Sequence, residues 1–271
     1  MDKNKPKFVT GYPRGTAEYN KPNTALGEEE KPGDHRIAFE AAASKDVTVC
    51  WAVLPAKSVA PTAEVLADGK AAGAVKSGRM SASMNELVTF YATGLSEATP
   101  YDAYLVLDDG KGNLSGVSKL SVTTLDVTPP EFVRPYPSLG KVAEKSVVIN
   151  HMTNEPATLY WAVYASGADF PPSILVGEGD DVKTDEDGNL IPSQDVEKAK
   201  QQAVITGNSA IKNGKTKTSV DKEGNFTVTG LQPQTTYDLW MFIEDASGNR
   251  QTVIKKVITT KDDVAPTARC V

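Results

Sequence analysis

The chain is poor in the residues that carry most protein chemistry. It has two histidines and two cysteines in 271 residues. Two cysteines exclude a disulfide scaffold, and two histidines leave little for acid–base or metal chemistry. Neither His35 nor His151 lies in a recognisable catalytic motif, and a nucleophile needs a base beside it. Both histidines read as surface or strand-edge residues. Cys50, in an apolar run, reads as a small buried or half-buried thiol. No apolar run approaches the roughly 18 residues of a membrane span, so no membrane insertion is expected. A basic excess is also missing. Lys+Arg 29 against Asp+Glu 35 leaves a net charge of −6, which argues against nucleic acid as a partner. The opening residues, MDKNKPKFVTGYPRG, lack the apolar core of a signal peptide. What the chain does have is 39% apolar and 24% charged residues, enough to bury a core.

Self-comparison shows an internal repeat. TGLSEATPYDAYLVLDDGKGN, from Thr93, matches TGLQPQTTYDLWMFIEDASGN, from Thr229, and the match persists through Thr123-Thr124 and Thr259-Thr260. Upstream, VTVCWAVLP (Val47 to Pro55) matches ATLYWAVYA (Ala157 to Ala165) at a shorter offset. The second copy therefore carries an insertion, placed at about residues 166–218. The expected domains are 1–126 and 127–262, with 263–271 as the start of a further linker. The joint, LDVTPPEF, contains Pro129-Pro130, which favours extended backbone and a semi-rigid spacer. The tail, DDVAPTARCV, looks like the opening of another such joint, so the expectation is a piece of a longer array.

Both copies read as strands. In TYDLWMFIED, Tyr237, Leu239, Met241 and Ile243 alternate with Asp238, Trp240, Phe242 and Glu244, a period of two. HRIAFEAA and KSVVINHM are expected strand partners of the W-A-V strands that follow them. DDGKGN and EDASGN read as hairpin turns. Short strands with regular turn signals indicate all-β sandwiches. Leu231-x-Pro233-x-Thr235-x-Tyr237 resembles the signature of fibronectin type III domains, and copy one keeps Leu95, Thr99 and Tyr101 with Glu97 at the proline position. The resemblance implies two tandem immunoglobulin-like sandwiches, with Tyr101 and Tyr237 as tyrosine corners. The shared W-A-V pattern puts Trp51 and Trp161 in the two cores. The endings of the two copies look like repeats of bacterial surface and S-layer proteins, and like accessory modules of secreted polysaccharide-degrading enzymes.

Two features suggest contact chemistry. GEGDDVKTDEDG holds Asp180, Asp181, Asp185 and Asp187. Aligned on Gly188 as an EF-hand glycine, its first and last ligand positions are Lys183 and Gln194, so it is not an EF-hand. It is read as a solvated acidic loop, with a loop-type calcium site through those four aspartates as the other reading. No other cofactor is implied. The second feature is a difference between the copies. On one outward strand face, copy two carries Tyr160, Tyr164, Trp240 and Phe242 where copy one has Cys50, Leu54, Tyr104 and Val106. Such aromatics could stack on sugar rings or bind a partner, but the expectation is that the insertion lies over them and buries them. In the insertion, IPSQDVEKAKQQAVITG reads as a helix, with Ser193 as N-cap and a stripe of Val196, Ala199 and Ala203.

The expectation is a non-catalytic, extracellular module of a bacterial cell-surface protein, acting in spacing, assembly or adhesion. The alternative is an accessory module of a secreted polysaccharide-degrading enzyme. Its expected partners are other domains of the same larger protein, neighbouring surface proteins or polysaccharide.

Overall fold

The apolar, β-branched runs become strands. The computed structural model describes residues 5–20, 34–168, 170, 183–184, 190–191 and 194–262, and the chain divides into two units, Met1–Val127 and Thr128–Val271. In the first unit β1 (Arg14–Asn20), β2 (Asp34–Ala41) and β5 (Val88–Leu95) form one antiparallel sheet. The second sheet runs β4 (Lys76–Ala82), β3 (Val47–Pro55), β6 (Pro100–Asp108) and β7 (Ser118–Thr123). A short helix, α1 (Ala63–Ala67), lies between β3 and β4 in the chain.

The second unit repeats this plan. One sheet is β8 (Ser138–Val142), β9 (Ser146–His151) and β14 (Gly224–Thr229). The other runs β13 (Lys212–Lys217), β10 (Thr158–Ala165), β15 (Thr236–Glu244) and β16 (Ile254–Thr259). Between β10 and β13 come a two-residue ribbon, β11 (Lys183–Thr184) with β12 (Leu190–Ile191), and the helix α2 (Gln194–Thr206). Each unit is a fibronectin type III-like β-sandwich. β2 and β9 pair within the three-stranded sheets rather than with the W-A-V strands β3 and β10. They face those strands across the core instead, because the chain crosses between sheets at that corner.

The cores lie between the sheets. Phe39, Trp51, Phe90, Leu105 and Leu107 pack in the first, and Ile149, Leu159, Leu239, Met241 and Ile243 in the second. Trp51 is buried and stacks on Phe90, while Trp161 is half-buried and stacks on Phe226 at 5.1 Å between ring centroids. Each indole lies across a glycine on the neighbouring strand. Trp51 pairs with Gly78 and Trp161 with Gly214, and a Cβ on either glycine would come within 2.5 and 2.6 Å of the indole Cζ2. The bare glycine makes room for the ring.

The turn entering β6 and β15 is locked identically in both units. The Tyr101 hydroxyl accepts the Ser96 N–H at 3.1 Å, and the Tyr237 hydroxyl accepts the Gln232 N–H at 2.8 Å. Buried Thr124 donates to the Ser96 carbonyl at 2.6 Å and accepts the Thr99 N–H at 3.0 Å. Thr260 does the same with Gln232 and Thr235 at 2.6 and 2.9 Å. The repeated Leu, Thr and Tyr, and the Thr-Thr pair one strand later, thus form one hydrogen-bonded corner.

Two expectations need correction. Helix was expected only in the insertion at about residues 166–218, but a short helix also covers the sheet in the first unit, and both copies leave the sheet at the same point. His151 is buried, at 3% exposure, rather than at the surface. It continues the inward alternation of Val147 and Ile149 along β9.

Gly214→Ala forces a methyl into the indole of Trp161, an overpacking expected to cost about 1–3 kcal/mol. Chemical denaturation of the second unit should show this as a lowered midpoint. An unchanged midpoint would mean that the Trp161 ring does not lie across the glycine.

Candidate functional site

The central strands of the four-stranded sheets are apolar on both sides, so each sheet has an outer face that also needs cover. In the first unit that face is Cys50, Ala52, Leu54, Tyr104 and Val106. Leu66 of α1, 2% exposed, closes it. The Thr62 hydroxyl caps α1 by accepting the Val65 N–H at 3.4 Å. Burial pushes the Cys50 thiol pKa up, against the opposing pull of Arg79.

In the second unit the same face is aromatic. Tyr164 and Phe242 are buried, and Tyr160 and Trp240 are half-buried. Tyr160 stacks on Phe242 at 5.2 Å, and Phe170, from the insertion, stacks on Trp240 at 4.3 Å. Val204 of α2, 1% exposed, packs among them with Ile205 and Ala210. The Tyr164 hydroxyl lies 3.3 Å from the Ala203 carbonyl and 3.2 Å from that of Asn208, at the C-terminal end of α2, and burial raises its pKa. The deepest α2 side chains are Gln201 and Val204; Val196, Ala199 and Ala203 are half-buried. The helix is therefore rotated relative to the stripe read from the sequence, because Gln201 is drawn in by a hydrogen bond.

That bond joins α2 to the segment leading into β16. The Gln201 amide donates to the Gln251 carbonyl at 3.1 Å, and a Glu197 carboxylate oxygen accepts the Val253 N–H. A buried aspartate fixes the root of each excursion. Asp238 accepts the Gly167 N–H at 3.1 Å and pairs with Lys255 at 2.8 Å. Asp102 accepts the Lys57 N–H at 2.9 Å and the Ser121 hydroxyl at 2.7 Å, and pairs with Lys119 at 3.0 Å. Burial alone would raise the Asp102 pKa, but these donors together hold it below the usual carboxylate range. Lys57 and Gly167 both have positive φ, 68° and 74°, so the aspartate stabilises a left-handed turn in each copy.

Between α2 and the turn joining β15 to β16 lies a cleft of about 390 Å³, lined by Glu197, Lys198, Gln201, Gly248 and Arg250. Arg250 pairs with Glu244 at 3.4 Å and stacks over Phe242. The turn itself is held by Asp245, whose carboxylate accepts the Ser247 and Asn249 N–H groups at 2.8 and 2.9 Å. Asp109 closes the first unit's turn alike, and chiefly the Asn113 side chain holds its carboxyl far below the usual range.

The structure brings together Tyr160, Tyr164, Trp240 and Phe242 as one layer. It places Trp51, Trp161, Tyr101 and Tyr237 in the cores and corners instead. Asp180, Asp181, Asp185, Asp187 and Ser193 lie outside the described residues. The cleft residues were not picked out from the sequence, since single polar residues on a helix and a turn carry no spacing signal. The α1 cover did have a signal: VTVCWAVL and AYLVL are continuous apolar runs, which fit strands buried on both faces.

No protein-family model matches the chain, and no curated protein matches it significantly. Among solved structures it is similar to the FN1–FN3 domains of chicken CNTN1, at 10% identity and a TM-score of 0.28, over 91% of this chain and 67% of that one.

His151 bears directly on pH. Burial lowers its pKa below the ordinary value, so the folded second unit holds it neutral while the unfolded chain takes up a proton near its ordinary pKa of about 6.5. Its contribution to stability is complete above that value and is lost as the pH falls below it. Unfolding midpoints at about pH 7.5 and about pH 5 should differ less for His151→Leu than for the unaltered chain. Equal differences would show that His151 is not a source of acid sensitivity.

Proposed function

We infer that the chain is a non-catalytic, extracellular module of a bacterial cell-surface protein, acting in spacing, assembly or adhesion. The observation that carries this reading is what the two copies hold in common. The shared residues build the corner, the Trp–Gly pair, the Asp–Asn turn and the aspartate that roots each excursion. All of these are structural, and none of these shared groups sets a nucleophile beside a base. A repeated unit that preserves its fold and varies one excursion suits an array in which each copy adds length and one copy makes contacts. Other domains of the same larger protein and neighbouring surface molecules are the partners this implies.

The alternative, an accessory module of a secreted polysaccharide-degrading enzyme, is favoured by one feature: the second unit has a polar cleft with Arg250 where the first unit has the apolar Leu114.

Stretching the whole chain by its ends tests the spacer role. Two separate unfolding events are expected, each releasing roughly 40–50 nm of chain at about 3.5 Å per residue. Extension without resolvable force peaks would remove the mechanical reading. Reproducible turnover in a screen of polysaccharides, peptides and esters would remove the non-catalytic one.

A further inference from the structure

We propose that the cleft between α2 and the β15–β16 turn binds an acidic saccharide unit, a ring bearing a carboxylate, through Lys198 and Arg250. Comparison of the copies carries the first part of the argument. The two hairpin turns are closed by equivalent Asp–Asn bonds. At the position that Arg250 takes in the second turn, the first has Leu114, which packs against the cluster closed by α1. The second unit thus replaces an apolar seal with a guanidinium and sets a longer helix opposite it. That helix contributes Lys198, which is exposed and makes no ion pair among the described residues. Arg250 pairs with Glu244 through Nε, which leaves its terminal nitrogens to donate elsewhere.

The second part concerns which anion fits. A volume of about 390 Å³ lies in the range of roughly 300–1,000 Å³ usual for small-ligand sites. Lys198 and Arg250 bring two cationic side chains to one cleft, and the space beside Gly248, where an added Cβ would meet nothing within 4 Å, is open to a ring. The charged and amide ends suit its carboxylate and hydroxyls. An extended acidic peptide is the poorer fit. It would bind by extending the backbone pairing beside the cleft, and there the segment leading into β16 is already held: Gln201 holds the Gln251 carbonyl and Glu197 holds the Val253 N–H. The compact space beside that held segment favours a ring over a strand.

The inference goes beyond the spacer role. Binding and mechanical response are measured separately, so the failure of one is distinguishable from the failure of the other. The test is titration of the whole chain with oligogalacturonate at low salt, followed by backbone amide NMR and calorimetry. The neutral oligosaccharide of the same length and a short poly-glutamate peptide serve as comparisons. Shifts centred on Gly248, Arg250 and Gln201 are expected with oligogalacturonate, and none with the neutral sugar. Lys198→Gln and Arg250→Leu, the latter copying Leu114 of the first unit, should each weaken binding about tenfold or more. Added salt should weaken it as well. The thermal midpoint of each variant establishes that it is folded. Absence of shifts at millimolar oligogalacturonate would overturn the proposal. So would equal binding of the neutral sugar, tighter binding of the acidic peptide, or undiminished binding by both folded variants.

Discussion

A two-layer sandwich covers each sheet on one side only, and here the central strands of the four-stranded sheets are apolar on both. β3 and β6 are buried along almost their whole length, as are the central residues of β10 and β15. The outer faces left by the sandwich would therefore be open apolar patches of the kind that soluble proteins seldom leave bare. Each unit answers with a third layer made from its own chain, inserted between the second sheet's inner strand and its edge strand.

The two covers differ in chemistry as well as length. In the first unit a five-residue helix sets Leu66 over a small face of Cys50, Ala52, Leu54, Tyr104 and Val106. In the second a 13-residue helix lies over a larger aromatic face. Its polar residues do two jobs that α1 does not. Gln201 and Glu197 satisfy backbone groups on the segment leading into β16, groups that would otherwise be open to pairing with another chain. Lys198, one position along, is left facing the turn and its arginine. Both roots are fixed by equivalent buried aspartates, Asp102 and Asp238, so the longer excursion is an elaboration of the shorter one and not a separate invention.

The fold was legible in the sequence because its devices repeat. The Leu, Thr and Tyr of the corner and the Gly-Asn turn appear twice with the same spacing, the W-A-V strands repeat at a shorter offset, and period-two alternation assigns Tyr237, Leu239, Met241 and Ile243 to the core face, as found. The outward aromatics were legible from the same alternation. The rest was hidden for separate physical reasons. α1 is too short to show helical periodicity, and the continuous apolar strands that demanded its presence also fit an ordinary core strand. His151 looked like an edge residue from its polarity, whereas its place in the alternation of β9 was the better guide. Gln201 faces inward for a tertiary hydrogen bond, so an apolar stripe could not orient the helix. Gly78 and Gly214 stand in strands where glycine is disfavoured, and only the Trp partner explains them.

The central claim is that α2 covers the outer face of the second unit and holds the chain at Gln251–Val253, where it leads into β16. Hydrogen exchange at one pair of equivalent amides tests it most directly. The Val253 N–H is held by Glu197, while its counterpart in the first unit, Val117, has no such partner among the described residues. Slow exchange at Val253, fast exchange at Val117, and loss of the Val253 protection in Glu197→Ala are the predicted results. Equally fast exchange at both amides in the unaltered chain would show that α2 does not hold this segment, and would contradict the account.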